Sequence, residues 1–219
     1  GYAAAALSLR GHGASEGRAR LRWWTLADYM ADVAQVAANL PSPPILVGHS
    51  LGGAVVQKYL ETHPAPAAVL LASVPPRGVI PATVRRFMRQ PPAMLRANLT
   101  LRMYPLVDTP ERAREALFSP DLPPELVARY QERLQDESYR AYWDILGLDL
   151  PNPAKIKTPL LVLGAENDRI FAVDEVKATA RAYGTQAEMF PNMAHDMMLE
   201  TGWRQVAERM LAWFGKQGL

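Results

Sequence analysis

The chain has no cysteine among its 219 residues. That excludes disulfides, thiolate catalysis and cysteine-ligated metal; it does not settle the compartment, for which a cytoplasmic location is the expectation. A surplus of one charge is also lacking: 24 Lys and Arg stand against 22 Asp and Glu, for a net charge of +2. The basic residues are scattered rather than gathered in one block, and no nucleic-acid partner is expected. The apolar stretches are of strand length, broken by Gly, Pro or charge, well short of the roughly 18 residues a bilayer requires. No spanning membrane segment is expected; Gly1-Tyr2-Ala3 shows no signal peptide but also no initiator methionine, so a leader removed or never included stays open.

What remains is ordinary globular material, 49% hydrophobic and 21% charged, enough for a sizeable core. Ala3 to Leu9 is a run of small and apolar residues ending in the Gly-rich turn Arg10-Gly11-His12-Gly13, and it reads as a buried strand. Thr25 is placed to cap a helix whose apolar positions Leu26, Met30, Val33, Val36, Ala37 and Leu40 follow the 3.6-residue period. Short apolar bursts at Ile45 to Val47, Val69 to Ala72, Leu160 to Leu163 and Glu188 to Phe190 read as strands. Helical stretches at Ala54 to Glu61, Asp174 to Tyr183 and Glu200 to Phe214 alternate with them. Such alternation implies an α/β fold, a mostly parallel, doubly wound sheet covered on both faces. Residues 76–153 break the pattern with Pro, Arg, Met and helix formers, and read as a helical cap inserted between core segments 1–75 and 154–219.

The chemistry is signalled by Gly48-His49-Ser50-Leu51-Gly52, a G-x-S-x-G sequence between an expected strand and an expected helix. This is the nucleophile elbow, where the turn is so tight that residues two before and two after the serine must be small, and the hydroxyl stands above the sheet. A serine needs a base, usually histidine, held in one tautomer by a carboxylate. His12 and His49 precede Ser50, and His63 follows it on the same helix, which leaves His195 in the loop Pro191 to Asp196. The acid is expected just past the strand Leu160 to Leu163, in the turn Gly164 to Arg169. Asp168 ends that turn and is chosen over its rivals Glu166 and Asp174. The Leu51 N–H, directly after the nucleophile, is one oxyanion donor.

Together, Gly48 to Gly53, the Asp168 turn and the His195 loop resemble the α/β-hydrolase superfamily, nearer its lipase, esterase and lysophospholipase-like branch. Leu7 to Gly17 is similar to the turn after that family's fourth strand, and residues 76–153 match its cap position. The resemblance implies catalytic Ser50, Asp168 and His195 in a triad, with elbow residues Gly48, His49 and Gly52, acting on a small-molecule ester through an acyl-enzyme, with no metal or cofactor. Family members carry earlier strands and a His-Gly loop that supplies the second oxyanion donor. This sequence opens just before the counterpart of the fourth strand, so that donor is expected to be absent from the chain, with roughly 40 residues of preceding structure. An open sheet edge, and with it a homodimer, would follow. Relatives such as haloalkane dehalogenases and epoxide hydrolases use aspartate at the elbow, against which Ser50 argues. Carbon–carbon bond hydrolysis, cofactor-free perhydrolysis and a ligand-binding homologue of weak activity are the alternatives. The cap offers Phe87, Met88, Met94, Leu95, Met103, Trp143 and Ile145 as apolar surface; of these Met88 and Trp143 are the candidate substrate-binding residues. Trp23-Trp24, among Arg18, Arg20 and Arg22, is a candidate membrane-surface or partner contact.

Overall fold

The computed structural model describes all residues, 1–219. Four strands, β1 (Leu46–His49), β2 (Ala68–Leu71), β3 (Leu160–Ala165) and β4 (Ala187–Phe190), form one sheet in sequence order. Every neighbouring pair is parallel, with Val47 opposite Val69, Val69 opposite Leu161 and Leu163 opposite Glu188. The central strands are short runs of Ala, Val and Leu without polar alternation because both their faces are covered.

The two faces follow from the two-residue period of a strand. Ala68, Leu70, Leu160 and Val162 face helices α1 (Leu26–Ala38), α2 (Leu51–Leu60) and α8 (Val173–Ala182), with Leu26, Tyr29, Val55 and Val176 completing that core. Val69, Leu71, Leu161 and Leu163 face the opposite way, onto Val206 and Phe214 of α9 (Trp203–Lys216). Helix α1 begins with the expected cap: Thr25 Oγ1 accepts from Asp28 N–H at 3.0 Å, and Asp28 Oδ2 accepts from Thr25 N–H at 2.9 Å. This reciprocal box satisfies two otherwise free donors.

Between β2 and β3 the chain forms α3 (Ile80–Arg89), α4 (Pro91–Thr100), α5 (Pro110–Leu117), α6 (Pro124–Gln131) and α7 (Tyr139–Trp143), with no strand. Phe118, Leu122, Val127 and Ala113 make a small core within this segment. Polar anchors tie it to α1: the buried Asp144 carboxylate accepts from Leu26 N–H at 2.9 Å, Ser138 Oγ donates to Trp24 O at 2.5 Å, and Tyr29 Oη donates to Glu137 at 2.9 Å.

One expected strand is corrected. Ala3 to Leu9 forms no strand; residues 3–8 are exposed and pair with none of β1 to β4. Extended backbone needs a neighbour for its N–H and C=O groups, and four successive alanines offer little apolar area to hold it. The adjoining turn is anchored, where Arg10 grips Asp32 of α1 through its backbone N–H and Nε, both at 2.9 Å. The Val47 side of β1 remains half exposed.

Candidate active site

Ser50 occupies the single residue between β1 and α2, at φ 50° and ψ −119°. A non-glycine residue in that region carries roughly 1–3 kcal/mol of strain, which the surroundings must impose. They do so by hydrogen bonds: Ser50 N–H donates to Leu71 O at 3.2 Å, and Ser50 O accepts from Gly53 N–H at 3.0 Å and Val74 N–H at 3.1 Å. Glycine explains the rest. A Cβ on Gly48 would lie 2.6 Å from Gly52 O, and one on Gly53 would lie 2.0 Å from Ser73 Oγ. Gly52 is different, because a Cβ there meets nothing within 4 Å. The small residue the packing demands after the serine is therefore Gly53, where α2 crosses Ser73, rather than Gly52.

Asp168 and His195 arrive from the ends of β3 and β4. Glu166 N–H donates to Phe190 O at 3.0 Å and Asn167 N–H to Met193 O at 2.9 Å, so the two loops are bonded edge to edge. His195 Nδ1 lies 2.9 Å from Asp168 Oδ2, and both side chains are almost wholly enclosed. Asp168 Oδ1 is held in turn by the N–H groups of Ile170 at 2.7 Å and Phe171 at 3.1 Å, and the Phe171 ring meets the His195 ring edge-on at 5.5 Å. The rival acids Glu166 and Asp174 are exposed. With Nδ1 committed to the carboxylate, His195 keeps Nε2 free to accept a proton. Burial pulls the His195 pKa down, but the Asp168 charge and hydrogen bond, with the Asp196 charge, outweigh it and hold it above the ordinary histidine value. Ser50 Oγ makes no hydrogen bond to the ring, a contact that commonly tightens only when substrate is bound. The Leu51 N–H opens α2, where the helix leaves its first donors unpaired.

Several contacts around His195 carried no signal in the sequence. His49 Nε2 is 3.0 Å from the His195 carbonyl oxygen, and the two rings are 4.8 Å apart. Burial, then the charge of His195, pushes the His49 pKa down to about 3, so it stays neutral. Glu200, 2% exposed, accepts from Ser119 N–H and Ser119 Oγ, both at 2.7 Å, and from Ala194 N–H at 3.3 Å. Asp196 N–H donates to Leu117 O at 3.0 Å. Both flanks of His195 are thus stitched to the end of α5. One nitrogen each of His49 and His195 and one oxygen of Asp196 lie within 4.8 Å of one another, the one cluster with metal-ligand chemistry. Its histidines already hold Asp168 and a backbone carbonyl.

The remaining expected residues fall elsewhere. Met88 is 74% exposed on α3 and Trp143 is 46% exposed on α7. A cleft of about 730 Å³ is lined by Glu111, Arg114, Phe118, Val127 and Asp168, among others, and by neither Ser50 nor His195. Trp24 is tied down by Nε1 donation to Gly17 O at 3.0 Å and lies between Arg10 and Arg20, which leaves Trp23 exposed alone. No helix is long and apolar enough to cross a membrane.

Asp196 gives the site a pH signature. Its carboxyl is pushed up to about 6 by burial, against the attraction of His195 and with the support of the Asp168 and Glu200 charges. A carboxyl that binds its proton more tightly when folded costs stability as pH rises through the range from about 4 to about 6, and the cost is complete above that range. Asp196→Asn is therefore expected to be more stable relative to the parent at pH 8 than at pH 4, by about 1–3 kcal/mol. Urea unfolding at the two pH values measures it, and an identical difference at both would show that Asp196 titrates normally.

The fold recurs in known proteins. BpoC from Mycobacterium tuberculosis H37Rv, a candidate non-heme bromoperoxidase, superposes with TM-score 0.73 at 23% identity, over 95% of this chain and 80% of that one. A monoacylglycerol lipase from Paleococcus ferrophilus does so with TM-score 0.69 at 21% identity, over 94% and 80%. A thermophilic esterase from Thermogutta terrifontis gives TM-score 0.70 at 21% identity, over 95% and 78%. At these identities the likeness is one of fold. The sequence model of the alpha/beta hydrolase family matches residues 1–209, nearly the whole chain, and the protein belongs to that family.

Proposed function

We propose that the protein is a serine hydrolase of carboxylic esters that works through a Ser50-His195-Asp168 triad and an acyl-enzyme. The observation that carries the reading is Ser50 itself, a non-glycine residue held at φ 50° on the turn into α2, in a sheet whose third and fourth strands lead into the enclosed Asp168–His195 pair. Strain of this kind persists where an exposed side chain must be aimed. In the first half-reaction Ser50 Oγ attacks the ester carbonyl as His195 Nε2 takes its proton. The Leu51 N–H, at the positive end of α2, meets the oxyanion. The alkoxide leaves with the proton from His195, and water activated by the same nitrogen then releases the acid. Asp168 keeps the ring in the required tautomer. The esterase and lipase among the similar structures support this class of substrate.

The experiment is labelling of the folded chain with a fluorophosphonate probe, with the modified peptide mapped by mass spectrometry. Modification confined to Ser50 is expected, alongside turnover of p-nitrophenyl acetate and octanoate; a folded chain that neither labels nor turns over would overturn the proposal.

A second reading is perhydrolysis, favoured by the likeness to the candidate bromoperoxidase. Hydrogen peroxide would replace water in attack on the acyl-Ser50, releasing a peracid and regenerating the hydroxyl. Bromination of monochlorodimedone in acetate with peroxide and bromide distinguishes it from simple hydrolysis.

A further inference from the structure

Helix α3 carries its amphipathic pattern inside out. Ile80, Val84, Phe87 and Met88 follow the i, i+4, i+7, i+8 spacing of one helical face, and they are 58%, 55%, 48% and 74% exposed. A helix of a globular protein normally turns such a stripe to the core. Here the inward positions are Ala82, which is buried, and the arginines Arg85 and Arg86. Arg85 pairs with Glu175 at 2.5 Å and donates to Ile170 O at 2.7 Å; Arg86 reaches Glu115 at 3.7 Å and donates to Leu106 O. The polar side of the helix is thus the anchored one. Leu95 and Leu99, one turn apart on the neighbouring α4, are likewise 57% and 76% exposed.

The charge of this region is as unusual as its apolar surface. No Asp or Glu occurs between Glu61 and Asp108, whereas Arg77, Arg85, Arg86, Arg89, Arg96 and Arg102 all do. Arg77 and Arg89 are exposed and outside every ion pair, Arg89 reaching only the Arg169 carbonyl oxygen at 3.1 Å. Arg96 and Arg102 meet Asp108 and Asp136 at 2.9 and 3.8 Å but are themselves 63% and 56% exposed. Exposed pairs of that kind contribute little and exchange partners readily. An apolar stripe bordered by arginines, on a segment with no acidic residue of its own, is the chemistry that seats a helix in the headgroup layer of a membrane.

We propose that the outer face of α3 and α4 docks on an anionic phospholipid bilayer, with Ile80, Val84, Phe87 and Met88 entering the headgroup region and Arg77 and Arg89 meeting lipid phosphates. Arg85 and Arg89 tie the inner side of α3 to the Ile170 and Arg169 carbonyl oxygens beside Asp168, and vesicle binding by the outer face is read without turnover.

The full chain is sedimented with sucrose-loaded vesicles of phosphatidylcholine alone and of phosphatidylcholine mixed with phosphatidylglycerol. Binding to the mixed vesicles that weakens as salt is raised is expected, with little binding to phosphatidylcholine. The double variant Phe87→Asp, Met88→Asp is expected to lose at least about tenfold in affinity, and Arg77→Gln, Arg89→Gln about 25-fold, at about fivefold per arginine. Leu211→Asp, at a half-exposed position on α9, is the control and retains binding. Thermal melts confirm that each variant is folded, and the salt series on the parent stands independently of the variants. Several results would overturn the proposal: no sedimentation with either vesicle, equal binding to both, or a parent dimer that Phe87→Asp, Met88→Asp disperses on size exclusion. So would an altered acetate-to-octanoate preference in that variant with vesicle binding intact, which would place the stripe in an acyl pocket.

Discussion

Ser50→Ala is expected to lower p-nitrophenyl acetate turnover by on the order of 10⁴-fold or more, with a melting temperature close to that of the parent. The two halves of that result separate chemistry from structure. Without Oγ no acyl-enzyme forms, and what is left is the orienting of substrate near donors such as the Leu51 N–H. The fold, by contrast, loses nothing measurable. Ser50 Oγ makes no hydrogen bond, the backbone bonds of Ser50 to Leu71, Gly53 and Val74 are unaffected by the side chain, and alanine retains the same Cβ at φ 50°. A stopped-flow burst of p-nitrophenol in the parent, absent in the variant, is the direct measurement. A parent as slow as Ser50→Ala would favour instead a ligand-binding protein on the same fold.

Much of this was legible in the chain because the residues concerned act locally. Leu160 to Leu163 reads as a strand covered on both faces since four apolar residues in succession have no polar side to present, and β3 is buried along its whole length. The elbow is readable because the turn itself dictates glycine at position 48. Asp168 and His195 are readable because each follows a strand end directly, and both loops then lie at the same edge of a parallel sheet. What escaped the sequence depends on tertiary approach. Gly53 is required by Ser73, twenty residues on, and no local rule selects it over Gly52. Glu200 looks like an ordinary acid at a helix entrance until Ser119 and Ala194 close on it. The Ala3 to Leu9 run has a strand's composition, yet pairing is a property of neighbours, and none of the four strands adjoins it. Helix α3 shows the converse. Periodicity gives the angle of an apolar stripe and not which way the helix is rotated, which here is set by Glu175 and Glu115 gripping Arg85 and Arg86.

Asp168→Asn is expected to reduce kcat by about 10⁴-fold, the size associated with the same change in other Ser-His-Asp sites. It should also move the pH profile in a stated direction. In the parent, the carboxylate accepts from His195 Nδ1 at 2.9 Å and fixes Nε2 as the unprotonated nitrogen. An asparagine in the same place keeps a carbonyl oxygen but can equally turn its NH₂ toward Nδ1, which places the proton on Nε2 and leaves no base for Ser50. The Ile170 and Phe171 N–H groups that hold Asp168 Oδ1 favour that orientation, since they need the amide oxygen for themselves. The charge disappears as well. In the parent the Asp168 charge and hydrogen bond, with the Asp196 charge, together outweigh burial and raise the His195 pKa, so kcat/KM falls on the acid side at a pH above the ordinary histidine value of about 6.5. Without it, burial is opposed only by Asp196, and the acid limb of whatever activity remains moves to lower pH. Glu166→Gln and Asp174→Asn, at the exposed rival positions, are expected to retain parent rates and the parent acid limb. If instead Asp168→Asn stays within tenfold of the parent while one of those two loses activity, the acid of the triad is the exposed residue and the enclosed Asp168–His195 pair serves the fold alone.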